Sequence, residues 1–425
     1  MRIFISLYFA IVTLSAENWP GWRGPNGDGI SNEKIVPKLW SNTKNIVWKM
    51  PIQGEGHSSP IVWDDRVFLT TSLTDKNERR LLCFDRLTGR LLWDEVVIQS
   101  SPESIHRLNS RASSTPSTDG KQVYVAFMRA EGAKVIAPNV GSERMITPGK
   151  IIVAAYDFKG QQKWKTDVGD FVSAHGFSSC PLLFEDFVII NGDHDGDAYL
   201  VALDPKTGKE KWRTIRENKT RSYVTPIIRQ IKGRTQMLLS GSLSVASYDP
   251  RSGSRHWIID GPTEQFVASM VYNGKYVFVT GGYPERHILA IDPDGSGNVT
   301  DTHIVWRTTR GAAYVPSPIV VGPYLLIVAD SGIASCFDAM SGKRLWQERL
   351  PGGHSSSPVS ANGLVYFISD SGITSIVRPG NAFEVVARND LEERVSASVA
   401  VSQSQLFIRS HQYLYCIGNL NQVKP

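Results

Sequence analysis

The sequence predicts an all-β protein, an eight-bladed β-propeller of four-stranded antiparallel blades. Three observations predict it: a repeated segment running from Asp through a Gly turn to Trp, alternating apolar residues around each copy, and a lone strand-like segment ahead of the first copy. The copies are CFDRLTGRLLW, AYDFKGQQKW, ALDPKTGKEKW, SYDPRSGSRHW, AIDPDGSGNVTDTHIVW and CFDAMSGKRLW, ending at Trp93, Trp164, Trp212, Trp257, Trp306 and Trp346. Successive tryptophans are 71, 48, 45, 49 and 40 residues apart. A fixed period of that size is the mark of a propeller blade or solenoid unit. The long first interval is assigned to an insertion around Arg129 to Lys150.

Within a unit the pattern is that of four strands. In the third copy, PLLFEDFVIINGD reads as two strands around a Glu185, Asp186 turn, AYLVALD as a third, and KEKWRTI as a fourth beyond the Lys206, Thr207, Gly208 turn. Period-two alternation and β-branched enrichment favour strand over helix. Asp bonds nearby backbone in such turns and Gly takes positive φ. The large Trp ring is expected to pack between neighbouring blades, its indole N–H on a backbone acceptor.

Two further units lack the tryptophan: SSSPVSANGLVYFISDSGITSIV with FEVVAR, and SASVAVSQSQLFIRSHQYLYCIG, which stops after three strands. An unpaired edge is a hazard that folded proteins avoid. NIVWKMP, carrying Trp48, matches a fourth strand and is expected to close the ring against the last unit. Trp48 thus joins the other six as a structural tryptophan. The resulting organisation is a signal peptide over 1–16, a Gly-rich lead segment over 17–40, and the propeller over 41–420.

Arg2, an apolar run from Ile3 to Leu14, and small Ser15 and Ala16 before Glu17 read as a secretory signal. About 12 apolar residues fall short of the about 20 that cross a bilayer, so no transmembrane segment is expected. No cysteine near residue 16 offers a lipid attachment point. The 46 basic and 41 acidic residues are spread along the chain without a like-charge block, which argues against a nucleic-acid partner. Of four cysteines, Cys83, Cys336 and Cys416 occupy one repeat slot that Ala202 and Ala290 fill elsewhere, and Cys180 precedes Pro181. All four are expected to be free, buried thiols.

Loops that lead into first strands, and loops between second and third strands, lie on one face around the central funnel. The former carry His57, Arg111, His175, Tyr223, Gln265, Tyr314, His354 and Arg394. Such a set can bind an anion through charged donors, hold a metal through neutral imidazoles, or simply fill a wet channel. NGDHDGDAY places Asp193, His194, Asp195 and Asp197 on the same face, a loose hard-cation site or a solvated turn. It is not an EF-hand loop, because Ala198 stands where Gly is needed and Asp204 where Glu is needed. No GxSxG or HExxH occurs.

These repeats resemble the PQQ-like (pyrroloquinoline-quinone) repeat family, whose units end in a small residue, any residue, Asp, a Thr-Gly or Ser-Gly turn and Trp. The resemblance covers about residues 40 to 418, and NWPGWRGPNGDGIS, from Asn18 to Ser31, is similar to the opening of many exported bacterial PQQ-like propellers. It implies two alternatives. One is a periplasmic or extracellular scaffold, expected to be monomeric, that binds a protein or polysaccharide partner, as in the propeller subunit of the outer-membrane protein assembly machinery. The other is a quinoprotein oxidoreductase using PQQ and calcium on an alcohol or sugar, with an Asp, Arg or His of the funnel as base or electrophile. The sequence has neither the adjacent cysteine pair of quinoprotein alcohol dehydrogenases nor a CxxCH haem attachment, so no cofactor is firmly implied. The scaffold is the preferred expectation.

Overall fold

The computed structural model describes residues 17–418, so the expected signal peptide lies outside the described residues. Eight sheets follow one another around an axis, over residues 61–99, 117–171, 182–215, 227–260, 271–308, 319–349, 359–390, and 400–417 with 46–51, antiparallel except where Gly297–Asn298 adds a parallel edge to the fourth. The first strands are short and lie innermost; Ile61–Trp63, Leu182–Phe184, Ile319–Val321 and Val359–Ala361 have three residues each. Second and third strands are almost wholly buried, as in Phe187–Gly192 and Tyr199–Leu203. Fourth strands are the most exposed of each blade, as in Leu91–Gln99 and Arg344–Arg349.

The ring closes as the sequence predicts. Ile46–Pro51 pairs antiparallel with Tyr413–Ile417, and Trp48 faces Cys416. The same pairing of Trp with a small residue recurs as Cys83 with Trp93, Ala155 with Trp164, Ala202 with Trp212, Ser247 with Trp257, Ala290 with Trp306 and Cys336 with Trp346. A register shift accompanies each pair. The bulge tilts the ring toward the next blade.

Each of these indoles then donates to a turn carbonyl of the next blade, the one after the turn aspartate except at Trp346, whose acceptor Gly380 lies in a turn where Arg378 replaces the aspartate. Trp48 Nε1 reaches Arg86 O at 2.8 Å, Trp93 reaches Phe158 O at 2.9 Å, Trp164 reaches Pro205 O at 2.8 Å and Trp212 reaches Pro250 O at 3.1 Å. Trp257, Trp306 and Trp346 reach Pro293 O, Ala339 O and Gly380 O at 3.0, 3.2 and 3.0 Å. The turn glycine lies beneath the ring. At Gly208, φ is +70° and a Cβ would sit 2.5 Å from the Trp164 ring, so no other residue fits without displacing it.

Seven tryptophans serve eight blades for a structural reason. In the seventh blade the pair is reversed, Ile376 facing Ala387. Its neighbour is the closing blade, where the strands Tyr413–Ile417 and Ile46–Pro51 come from opposite ends of the chain. No turn joins them, so among the described residues no turn carbonyl stands there for an indole to reach. The lead segment occupies that seam instead: Trp40 stacks on Tyr366 with ring centroids 6.5 Å apart, and its backbone N–H donates to Asn389 Oδ1 at 2.8 Å.

The insertion at Arg129 to Lys150 lengthens the second blade, where Lys150 pairs with Arg129, and ends in a hairpin of Val135–Ile136 and Met145–Ile146. It does not account for all of the long first interval. The connection over 100–116 is also extended and carries His106, Leu108 and Asn109 to the axis. All four cysteines are free and buried.

Deleting the Trp164 side chain to alanine is expected to cost about 3–5 kcal/mol in urea unfolding, whereas Trp164→Phe removes chiefly the hydrogen bond, about 1 kcal/mol. Ala387→Trp, which has no turn to dock on, is expected to give no stabilisation; a gain in midpoint would refute the docking explanation.

Candidate functional site

The lumen is built by a rule that starts at the first strands. Each blade presents one small residue to the axis, and the backbone N–H of one donates to the side chain of the next. Ser59 N reaches Thr115 Oγ1 at 2.9 Å, Thr115 N reaches Cys180 Sγ at 3.3 Å and Cys180 N reaches Thr225 Oγ1 at 3.0 Å. Ser269 N, Ser317 N and Ser357 N continue to Ser317, Ser357 and Ser398 Oγ at 2.9, 2.9 and 3.0 Å, and Ser398 N returns to Ser59 Oγ at 3.0 Å. Between the fourth and fifth blades the bond runs the other way, Ser269 Oγ donating to Thr225 O at 2.8 Å. Cys180 is therefore the thiol member of a hydroxyl ring.

Side chains alternate along a strand, so the residue two positions earlier faces the lumen as well. His57, Ser113, Ser178, Tyr223, Val267, Val315, Ser355 and Ser396 make this upper layer. His106, Leu108, Asn109, His175 and Tyr314 crown it, and Trp22 of the lead segment lines its base. The cavity measures about 140 Å³, and the rest of the space between these residues is open to solvent. No Asp, Glu, Lys or Arg is among its lining residues.

The floor is a strap formed by the lead segment. Trp19 exchanges backbone bonds with Val62 (2.8 and 2.9 Å), Pro20 O accepts from Thr118 N at 2.8 Å, and Gly29 O accepts from Ser360 N at 2.7 Å. Arg23, fully buried, donates to Pro318 O at 2.7 Å, and Asp28 pairs with Arg229 at 3.2 Å. The strap thereby spans blades one, two, four, six and seven. Gly24 has φ +79° and packs on Trp19, whose ring would lie 2.7 Å from a Cβ.

The expected funnel residues separate under this geometry. His57 and Tyr223 face the lumen, and His175 and Tyr314 line its mouth. His175 Nδ1 lies 3.0 Å from the Tyr223 hydroxyl and 3.2 Å from Arg221 Nε. Gln265 pairs its backbone with Tyr283 and lines an adjoining cleft under the second-blade hairpin. Arg111 is held at the rim by Glu55 Oε1 (3.0 Å) and Glu103 O (3.1 Å), and Arg394 is exposed. His354, three residues before the ring rather than two, points away from the lumen and is buried. Its likeness to His57 is one of neighbouring sequence only; Ser355 occupies the equivalent place.

The aspartates do not converge. Asp193 is buried against Arg216 (2.8 Å) and accepts from Ser222 Oγ at 2.8 Å; Asp195 is buried against Arg221 (2.8 Å); exposed Asp197 pairs with Lys219 (2.6 Å). The sequence between the third and fourth blades supplies one cation for each, which neutralises the oxygens a hard cation would need. Among the described residues no three His, Cys, Asp or Glu side chains are grouped to hold a metal ion.

Burial keeps the histidines neutral. Desolvation, with Arg409 and His411 nearby, lowers His57 to about 4, and desolvation with Arg221, His106 and Arg144 lowers His175 to about 3. His106 is lowered by burial and by Arg107, Arg144 and Arg221. Arg409 lies fully buried behind His57, donating to Ser58 Oγ (2.9 Å) and Thr70 O (2.6 Å). At neutral pH the mouth offers imidazole acceptors and donors without added charge.

Fold and site define an eight-bladed propeller with a strapped floor and an uncharged lumen. The sequence model of the family described as outer membrane protein assembly factor BamB matches residues 36–145 and 133–348, and the chain belongs to that family of PQQ-like propellers. No curated protein sequence matches it. Among solved structures, it is similar to BamB from Moraxella catarrhalis at 12% identity and TM-score 0.58, over 89% of this chain and 99% of that one. It is also similar to the quinohemoprotein alcohol dehydrogenase ADHIIG from Pseudomonas putida HK5, at 13% identity and TM-score 0.62, over 96% of this chain and 81% of that one. A europium-containing methanol dehydrogenase matches at 10% identity and TM-score 0.63, over 95% and 98%. At such identities the likeness is one of fold.

The residues do not fit PQQ with a divalent ion. PQQ is a tricarboxylate, and the lumen supplies neither a cation to meet it nor a carboxylate group to hold calcium. Arg221, at the mouth, is committed to Asp195.

Because folded His354 is held neutral by burial, at about 4 against 6.5 unfolded, the unfolded chain binds the extra proton between those values. Stability is therefore retained above pH 6.5 and lost as pH falls toward 4. His354→Gln is expected to remove about 2–3 kcal/mol of the difference between urea melts at pH 7 and pH 4.5. An unchanged pH slope would contradict the assignment.

Proposed function

We propose that the chain is an exported, non-enzymatic binding protein of the cell envelope that receives a protein or polysaccharide partner over its upper face. One observation carries the reading: the lumen and its mouth gather neutral hydrogen-bonding side chains on a rigid ring, while Asp193, Asp195 and Glu103 beside it are held in ion pairs with arginines. Such a surface suits recognition. Membership of the BamB-described family supports a partner-binding role.

Immobilised protein is expected to retain a partner from envelope extract, and Asn139→Arg or Arg394→Glu on the upper face is expected to weaken retention about tenfold, a loss of roughly 1.4 kcal/mol. Lys159→Glu, in a turn of the opposite face, is expected to leave it unchanged. Dye reduction on an alcohol or sugar after adding PQQ and calcium, with a quinone absorbance band, would overturn the reading.

A further inference from the structure

Beneath the mouth, the lumen has a more specific chemistry than a general docking face. Its hydroxyl ring is half used. Ser59, Thr115, Ser357 and Ser398 each accept one backbone N–H from the preceding blade. A hydroxyl has one donor and two acceptor sites, so each keeps its O–H and a lone pair for the lumen. The floor is aromatic, with Trp22 lining both this cavity and the groove beside the strap on the lower face. The strap crosses below, held through Trp19, Arg23 and Asp28, with Cys180 and Thr225 lining the space on both sides.

Above, the lumen continues sideways. His106, His175 and Tyr314 line both the lumen and the cleft of about 310 Å³ under the second-blade hairpin, which Asn139 and Tyr283 help to form. The two spaces meet at these three residues, so a chain lying in the cleft has the lumen and its Trp22 floor beneath it.

We propose that the lumen is a saccharide pocket, taking the uncharged terminal sugar of a glycan chain whose following residues lie in the cleft under the hairpin. No charged side chain lines the lumen itself, whereas Arg144 and Arg221 line the cleft above it, so the uncharged selection applies to the unit seated in the lumen. A peptide terminus or a phosphorylated or carboxylated ligand would bury an ion without a partner, which is costly. A neutral sugar matches hydroxyl donors and acceptors on the walls and lays a C–H face on an indole. Neutral His57 and His175 keep the walls uncharged across physiological pH.

This inference rests on the binding-protein reading, and the test separates the two. Full-length protein is titrated calorimetrically with glucose, N-acetylglucosamine, maltotriose, cellotriose, glucuronic acid and triglycine. At least one neutral sugar is expected to bind, a trisaccharide about tenfold more tightly than its monosaccharide, with glucuronic acid and triglycine weaker than the neutral ligands. Ser178→Leu and Ser355→Leu, at half-buried lumen positions outside the hydroxyl ring, are expected to weaken sugar binding about tenfold or more. Each variant's thermal midpoint verifies that it folds. If no neutral sugar binds, or if binding ignores both folded variants, the pocket assignment fails; partner capture that persists then leaves the broader reading standing. Tighter binding of triglycine or glucuronic acid also overturns it.

Discussion

The structure depends on closure of the ring by Ile46–Pro51. Without that strand the eighth blade would expose the edge of Tyr413–Ile417, and Trp48 would not reach the first blade. Closure also explains the one break in the repeat. An indole needs a small residue across the strand pair and a turn carbonyl on the next blade. The seventh blade faces the seam, where among the described residues no turn joins the two strands, and there Ala387 stands in place of Trp and Ile376 in place of a small residue.

Two circles of hydrogen bonds result, with different consequences. The outer circle, from indole to turn carbonyl, joins blades through large rings and contributes much of the packing. The inner circle, from backbone N–H to hydroxyl or thiol, satisfies backbone groups near the axis where no strand partner is available. It also sets the chemistry of the lumen, because most of the side chains that bridge blades line it.

The outer circle was legible in the sequence because its signal is large and periodic, Trp with Asp and Gly at nearly fixed offsets. The lumen was legible only in part. Its governing signal is the small residue before Pro60, Pro116, Pro181, Pro226, Pro318 and Pro358, and counting back two places from it picks out His57 and Tyr223 while excluding Arg111, His354 and Arg394. Reading the loops by residue type instead of strand parity mixed the layers. His106 and Trp22 were beyond that count, since they arrive from a connection and from the lead segment. The pairing of Asp193, Asp195 and Asp197 was hidden because Arg216, Lys219 and Arg221 lie on the link to the next blade, and only their fold-back brings the charges together.

The closing strand also fixes an order of events. Its partner, Tyr413–Ile417, lies at the far end of the chain, so a polypeptide delivered from its N-terminus holds Ile46–Pro51 unpaired until nearly all of it has emerged. Blades of mostly local contacts are free to form early, yet the ring stays open and its first and last interfaces remain bare throughout delivery. Closure is thus a late, single event, and a chain interrupted before residue 413 lacks the partner for its own first strand.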